Sequence, residues 1–488
     1  MRPSDAGPPA LPAEELGDMP PDEFLVQGRR IVEWISEYLG SAGRYPVLAR
    51  VRPGEVRASL APSPPRRGEP LEDILRDFEE RVVPGLTHWN HPGFLAYFAN
   101  TASSPAILGE LLATAVNANA MIWRTSPAAT ELEGLTADWL RQLLGLPEVF
   151  VGFVNDTASH NSLYALAAAR AQAFPEAGEQ GLHSLPAGRI YASEHVHSSI
   201  DKAVVTLGLG RRGVRHLPAD AGYRLKPEAL RAAIAEDLAA GVRPVAVVAV
   251  AGTTSTASID PLPEIARICE EHGIWMHVDA AYAGVAAIVE ELRPLLAGWE
   301  RADSIVLNAH KWLFTPMDCA LLYCRRPEAL ADAFSLVPPY LRTPEADEAR
   351  DLMNYGVALG RSFRALKLWF VLRYFGGRGL ADRLREHCRL ARRFAGWVQA
   401  SDRWQLMSST LLGLVVFRYR GPKTGLDRTN QANERILDAV NASGDVFLSH
   451  TILDGRYVLR LSVGNLRTRR EHVELAWRRL ELEAARLN

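Results

Sequence analysis

Ile274-Trp275-Met276-His277-Val278-Asp279 and Ser304-Ile305-Val306-Leu307-Asn308-Ala309-His310-Lys311-Trp312 are each a short, mostly apolar run that ends on polar residues. Runs of this kind read as strands buried on both faces. Residues 189–193 and 244–251 repeat the pattern upstream, the second as a β-branched and Ala run. Helices are expected at residues 157–170, 227–240 and 263–272, the last with Pro263 near its start. Alternating strands and helices predict an α/β domain with a mostly parallel central sheet. Ligands of such sheets sit at the carboxyl ends of the strands. Asp279 and Asn308 end predicted strands and Lys311 lies just past the second, so these residues mark the expected site.

Most lysines are solvated surface charges. Lys311 instead follows a buried strand between His310 and Trp312. A desolvated lysine has a lowered pKa and becomes nucleophilic, as a Schiff base with an aldehyde cofactor requires. Asp279 has two readings. It can cap a following helix. It can also keep the pyridine nitrogen of pyridoxal 5'-phosphate (PLP) protonated, so that the ring draws electrons from a substrate's α-carbon. The pairing of both motifs, in this order after successive strands, favours the second.

A cofactor phosphate needs donors. Asn155-Asp156-Thr157-Ala158-Ser159 opens the helix expected at 157–170, and backbone N–H groups there, with two hydroxyls, form an anion cradle. A plain Ser/Thr cap is the alternative, and Asp156 is expected to turn its carboxylate away. His197, within Glu194-His195-Val196-His197-Ser198-Ser199, can stack on a pyridine face. His195 and His197 also suit a metal, but no His-Glu-x-x-His motif or compact third ligand accompanies them. A His-rich metalloenzyme is therefore the competing reading from another class, marked by stoichiometric zinc and no cofactor absorption.

Outward from this centre, residues 1–21 are a Pro-rich, acidic tail without the basic and apolar regions of a signal peptide. Residues 22–84 form an N-terminal helical segment. Phe24, Gly28, Ile31, Ile35, Tyr38 and Leu39 recur at helical spacing, residues 52–70 are a connector, and a second amphipathic segment spans 71–83. Their apolar faces need a partner, either the main body or a second subunit. The large domain spans 85–375. Residues 376–488 form a small C-terminal α+β domain, with helices expected at 360–374, 380–400 and 468–487 and strands at 412–419 and 457–463.

The 488-residue chain is 48% hydrophobic and 23% charged, with a formal net charge of −2, so nothing steers it toward nucleic acid or an anionic membrane. Cys269, Cys319, Cys324 and Cys388 show no Cys-x-x-Cys spacing. No apolar stretch is long enough to span a bilayer. A cytoplasmic enzyme with reduced thiols is expected.

The stretches THWNHPGFLAYF, SPAATELE, DTAS, HVHSS, GTTSTASID, HVDAAYAG, NAHKW, PPYL and LGRSFRALKLWF together resemble the group II PLP-dependent decarboxylases, and among them the aromatic-L-amino-acid decarboxylases. The likeness runs from about Phe24 to the C-terminus. It implies fold-type I, similar to aspartate aminotransferase, and a homodimer with active sites at the subunit interface. It implies Lys311 as the Schiff-base lysine, Asp279 as the pyridinium partner and His197 as the stacking histidine. Thr157, Ala158, Ser159, Asn308 and His310 match positions around the phosphate, and Thr254 matches a threonine near the ring. Gly360 matches a glycine lent to the neighbouring subunit's phosphate. Trp89, Phe94 and Tyr97 match the substrate-side aromatic segment. Met121 falls where relatives often carry a larger aromatic contributed across the interface, and it leaves room for an indole.

Two departures stand out. The segment from Tyr340 to Gly360 is slightly shorter than in animal relatives, and Asp156 replaces a glycine. The resemblance implies decarboxylation of tryptophan, phenylalanine, tyrosine or dihydroxyphenylalanine to the amine and carbon dioxide. Tyr340, on a polar segment at 338–351 that reads as a lid, is expected to protonate Cα. A PLP-dependent aromatic aldehyde synthase, in which Phe usually replaces that tyrosine, is the nearest alternative. A glutamate-type enzyme would want basic groups where residues 89–97 are aromatic.

Overall fold

Among the described residues, seven strands form the main sheet: β1 (Val151–Asn155), β2 (Gly188–Ser193), β3 (Val214–Leu217), β4 (Arg243–Val250), β5 (Trp275–Asp279), β6 (Ser304–Leu307) and β7 (Ala320–Cys324). Their spatial order is β1-β7-β6-β5-β4-β2-β3. Pairing is parallel from β3 to β6. β7 runs antiparallel to both β6 and β1, so six strands share one direction. The computed structural model describes residues 17–336, 344–409, 411–421 and 425–487, and the chain divides into two compact units, residues 1–88 and 89–488.

β2, β4, β5 and β6 fall where the sequence places them, whereas β1, β3 and β7 add to that expectation. β1 was masked by Gly152, a residue that weakens any strand pattern. A Cβ there would meet the Tyr323 ring of β7 at 2.6 Å and Ala137 of helix Pro127–Leu144 at 2.8 Å, so the sheet edge needs glycine for close packing. Helix Ala158–Ala173 packs its small Ala165–Ala169 run against the sheet, where those residues are buried. His277 of β5 pins it there, with Nε2 3.0 Å from Ser162 Oγ and Nδ1 2.9 Å from Ser304 Oγ. Burial pushes the His277 pKa down to about 4, so the ring is neutral.

A second, antiparallel sheet has the order β10-β11-β9-β8, from β8 (Trp404–Leu406), β9 (Leu414–Tyr419), β10 (Ser449–Leu453) and β11 (Arg456–Ser462). Helices Leu426–Ala442 and Arg470–Ala485 accompany it. β8 and β10 are the edge strands, and the short or polar sequences of edges carry little apolar alternation. The helices expected at 360–374 and 380–400 are both present within Ala365–Ala400, separated by a break at Gly376 with φ 63°. Residues 360–364 stay outside it. The Arg361 N–H donates to Asn119 Oδ1 at 2.9 Å and Ser362 bridges to Asn119, which holds this stretch out of helical geometry.

In the N-terminal unit, helix Pro21–Ser41 forms as expected, with Pro21 at its first position. Trp34 stacks on Tyr38 at 5.3 Å and meets Phe78 edge-on at 5.2 Å, joining that helix to the turn after Leu71–Asp77. The connector carries one short helix, Glu55–Ser59. Phe24 and Val26 remain 63% exposed. Among the described residues, no helix is long and apolar enough to cross a membrane.

Candidate active site

Parallel strands present their last residues to one edge of the sheet, and here that edge opens into a cavity of about 330 Å³. Asp279, the final residue of β5, lines it, with Oδ1 accepting the Ala281 N–H at 3.1 Å. β6 delivers Asn308, His310 and Lys311 through the short helix Ala309–Trp312. Thr157, Ala158 and Ser159 enter from the turn after β1, and His197 from the turn after β2. Thr254 comes from the loop after β4, which the buried Asp260 carboxylate ties back by accepting the Val250 and Leu225 N–H groups at 2.7 Å each.

Burial lowers the Lys311 pKa; the Asp279 charge opposes this and the Arg460 charge adds to it. The Lys311 Nζ lies 5.4 Å from the centre of the Phe98 ring. Phe98 stacks on Tyr282 at 3.7 Å, Tyr282 stacks on Trp312 at 5.0 Å, and Trp312 Nε1–H donates to His387 Nδ1 at 2.9 Å. This aromatic column leaves the amine little water and so favours its neutral, nucleophilic form. His197 Nδ1 accepts from Ser199 N–H at 3.2 Å and pairs with Ser199 Oγ at 2.8 Å. Burial lowers its pKa, against the pull of Asp279.

In the same cavity, His310 Nδ1 accepts the Cys319 N–H at 3.0 Å, which leaves Nε2 to carry the proton. Burial sets its pKa at about 4. Asn308 Oδ1 accepts the Ala158 N–H at 2.9 Å and so ties the lysine turn to the helix start. Asp156 does not line the cavity. Its carboxylate accepts the Thr157 N–H at 2.6 Å and meets His160 Nδ1 at 2.6 Å. Two amides expected in the anion cradle are therefore engaged, and the hydroxyls of Thr157 and Ser159 with the His310 N–H remain as donors. An amine for an aldehyde, a carboxylate for a ring nitrogen and neutral donors for a phosphate share one cavity, a donor set that fits PLP.

The aromatic segment divides. Tyr97 lines the cavity, in left-handed backbone at φ 50°, its N–H held by Ser449 Oγ at 3.1 Å. Phe94 is wholly buried, stacked on Trp89 at 4.3 Å and edge-on to Phe447 at 5.6 Å. Trp89 and Phe94 do not line the cavity of this chain; nor does Met121, which packs on Ile122 and Met353, nor the exposed Gly360. Tyr340 lies outside the described residues.

Sequence reasoning passed over Phe98, Tyr282 and Arg460. Arg460 of β11 is buried, donating to Thr254 O at 2.5 Å, Ser255 O at 3.1 Å and Ser449 Oγ at 2.8 Å, 5.5 Å from the Phe98 ring. A lone arginine inside the apolar run Tyr457-Val458-Leu459-Arg460-Leu461 was the available signal.

Residues 53–420 match the pyridoxal-dependent decarboxylase conserved domain. The chain belongs to the pyridoxal-dependent decarboxylase family. Members of this family depend on PLP, and the chain is accordingly a PLP-dependent carboxy-lyase of fold-type I. It is 38% identical to tyrosine decarboxylase 1 of Narcissus pseudonarcissus, over 97% of this chain and 95% of that one. It is equally 38% identical to a phenylacetaldehyde synthase of a Rosa hybrid cultivar, over 94% and 93%. The crystal structure of Oryza sativa TDC with PLP and tryptamine superposes with a TM-score of 0.94 at 35% identity, covering 96% of this chain and 99% of that chain.

Proposed function

We propose that this decarboxylase acts on an aromatic L-amino acid and releases the corresponding amine. The observation that carries the reading is that Lys311 and Asp279 share their cavity with Tyr97, Phe98 and Tyr282. Stacked aromatic pairs add roughly 0.5–1.5 kcal/mol beyond area burial. By their names, the relatives above act on tyrosine, form phenylacetaldehyde or hold tryptamine, all aromatic molecules.

When bound, PLP supplies an electron sink for the bond that breaks at the substrate's α-carbon. Lys311 would hold the cofactor through its aldehyde carbon, and the lowered pKa of its amine suits that bond. Asp279 would keep the ring nitrogen protonated, and His197 would stack against the ring. Thr157, Ser159 and His310 would donate to the phosphate, Asn308 orders the Ala158 end of that segment, and Thr254 would border the ring. Tyr97 receives the aromatic side chain, with Trp89 and Phe94 stacked behind it as a brace. Tyr340 returns a proton to Cα.

The working unit is a homodimer. Helix Ser104–Val116 leaves Leu108, Leu111, Leu112 and Val116 about half exposed or more, a face that a second copy would cover. Gly360 and Met121, outside this chain's own cavity, then serve the neighbouring site. The four buried, unpaired cysteines fit a reducing, cytoplasmic setting.

Carbon dioxide release from tryptophan, tyrosine, phenylalanine, dihydroxyphenylalanine and glutamate tests the reading. An aromatic substrate is expected to lead; glutamate outperforming all four would end it. The phenylacetaldehyde synthase relative supports a second outcome, in which oxygen attacks Cα before the proton arrives. Amine, aldehyde and peroxide measured in air and under argon distinguish the two. Tyr340→Phe should move product from amine to aldehyde in air, and unchanged amine output without aldehyde would remove Tyr340 from the chemistry.

A further inference from the structure

We infer that Arg361 is a positioning residue that couples the hold on the cofactor phosphate to the association of two chains. The inference rests on the reading above, in which the segment at Thr157 carries the phosphate and two copies pair. Its basis is a buried polar chain beneath that segment. The Arg361 side chain is only 5% exposed and that of Glu133 only 2%. Arg361 Nη2 donates to Glu133 Oε1 at 2.6 Å and to Val154 O at 3.0 Å, while Nη1 donates to Asn155 Oδ1 at 2.8 Å. Glu133 Oε1 also accepts the Val154 N–H at 2.9 Å. Asn155 Nδ2 in turn donates to Asn161 Oδ1 at 2.7 Å, in the first turn of the helix. One guanidinium thus fixes both ends of the turn that presents Thr157, Ala158 and Ser159.

The backbone of the same residue faces the other way. Arg361 N–H donates to Asn119 Oδ1 at 2.9 Å, and its carbonyl accepts the Ala120 N–H at 2.8 Å. This clamps the stretch before Met121 to the stretch after Gly360. A Cβ on Gly360 would meet nothing within 4 Å, and its neighbours Val357 and Leu359 are 71% and 49% exposed. Side chain and backbone of Arg361 therefore join a cavity wall to an uncovered apolar surface. A planar fork with several fixed donors does this; a lysine, with one compact charge, cannot reach all three acceptors.

Coupling between two binding events is reciprocal: if pairing tightens PLP, PLP tightens pairing by the same factor. The experiment uses holoenzyme diluted through the dimer dissociation range, with PLP release followed by fluorescence and subunit mass by sedimentation, with and without added PLP. Wild type is expected to show a coupling factor of about tenfold. Arg361→Lys should weaken both PLP retention and dimerisation and bring the factor close to one. Glu133→Gln keeps an acceptor for Val154 N–H and should move the same quantities less. It carries the test if Arg361→Lys fails to fold, as judged by circular dichroism. A folded variant that loses PLP affinity while dimer constant and coupling stay wild-type overturns the inference, and so does one that changes neither. A wild type that takes no PLP on Lys311, or stays monomeric with PLP, fails the proposed function itself before any variant is read.

Discussion

The ends of β5 and β6 and the aromatic segment at residues 89–97 were both expected to build the site, and they behave differently. Asp279 and Lys311 enter the cavity directly, whereas of Trp89, Phe94 and Tyr97 only Tyr97 does. Strand-end residues have their direction set by the alternation of the strand and by the shared orientation of parallel neighbours. The aromatic segment is a loop, and its side chains point where packing partners lie: Phe94 goes to Phe447, and Tyr97 is turned by Ser449. On the proposed function, chemistry belongs to the rigid edge and substrate contact to a segment held from the second sheet.

The comparison breaks most visibly at Lys311. Lys311→Ala should abolish turnover and borohydride trapping of PLP, while the phosphate donors still bind the cofactor; trapping on another lysine would overturn the assignment. Asp279→Asn comes next. Losing roughly 3 kcal/mol of transition-state stabilisation is more than a hundredfold in rate, so steady-state kinetics near wild type would reduce Asp279 to a cap on the Ala281 amide.

The strand-end region is also the acid-sensitive one. His277 and His310 have folded pKa values near 4, below the ordinary 6.5. The unfolded chain therefore binds protons that the folded chain refuses as pH falls through that window. Stability is full above about 6.5 and declines toward 4, by roughly 3 kcal/mol per histidine at most. Thermal melts across this range should show the fall, and a flat melting temperature would contradict neutral burial of both rings.

In the aromatic segment the expected effects are smaller and should split. Tyr97→Ala should raise KM for an aromatic substrate about tenfold with kcat less affected, the pattern of lost uniform binding. Trp89→Leu should raise it under about threefold, because Trp89 acts through its stack on Phe94. Equal effects from both would mean that Trp89 itself touches substrate.

Much of this was legible in the linear chain. Apolar runs ending on Asp279 and Asn308 located β5 and β6, and the polar residues after them located the site, because local periodicity carries strand direction and burial. The reversed β7 was not legible, because strand direction depends on which neighbour closes the sheet. Nor was the glycine-bearing β1, whose Gly152 makes sense only beside Tyr323 and Ala137. The sequence by itself determined the α/β class, the placing of Lys311 and Asp279 at one edge of the sheet, and the family. Tertiary structure alone decided that Asn308 engages the Ala158 amide, that Arg460 and Phe98 stand beside Lys311, and that Arg361 joins Glu133, Asn155 and Asn119. Each of these depends on residues far apart in the chain, and such contacts leave no periodic trace; they exist only once the buried polar groups have had to find partners.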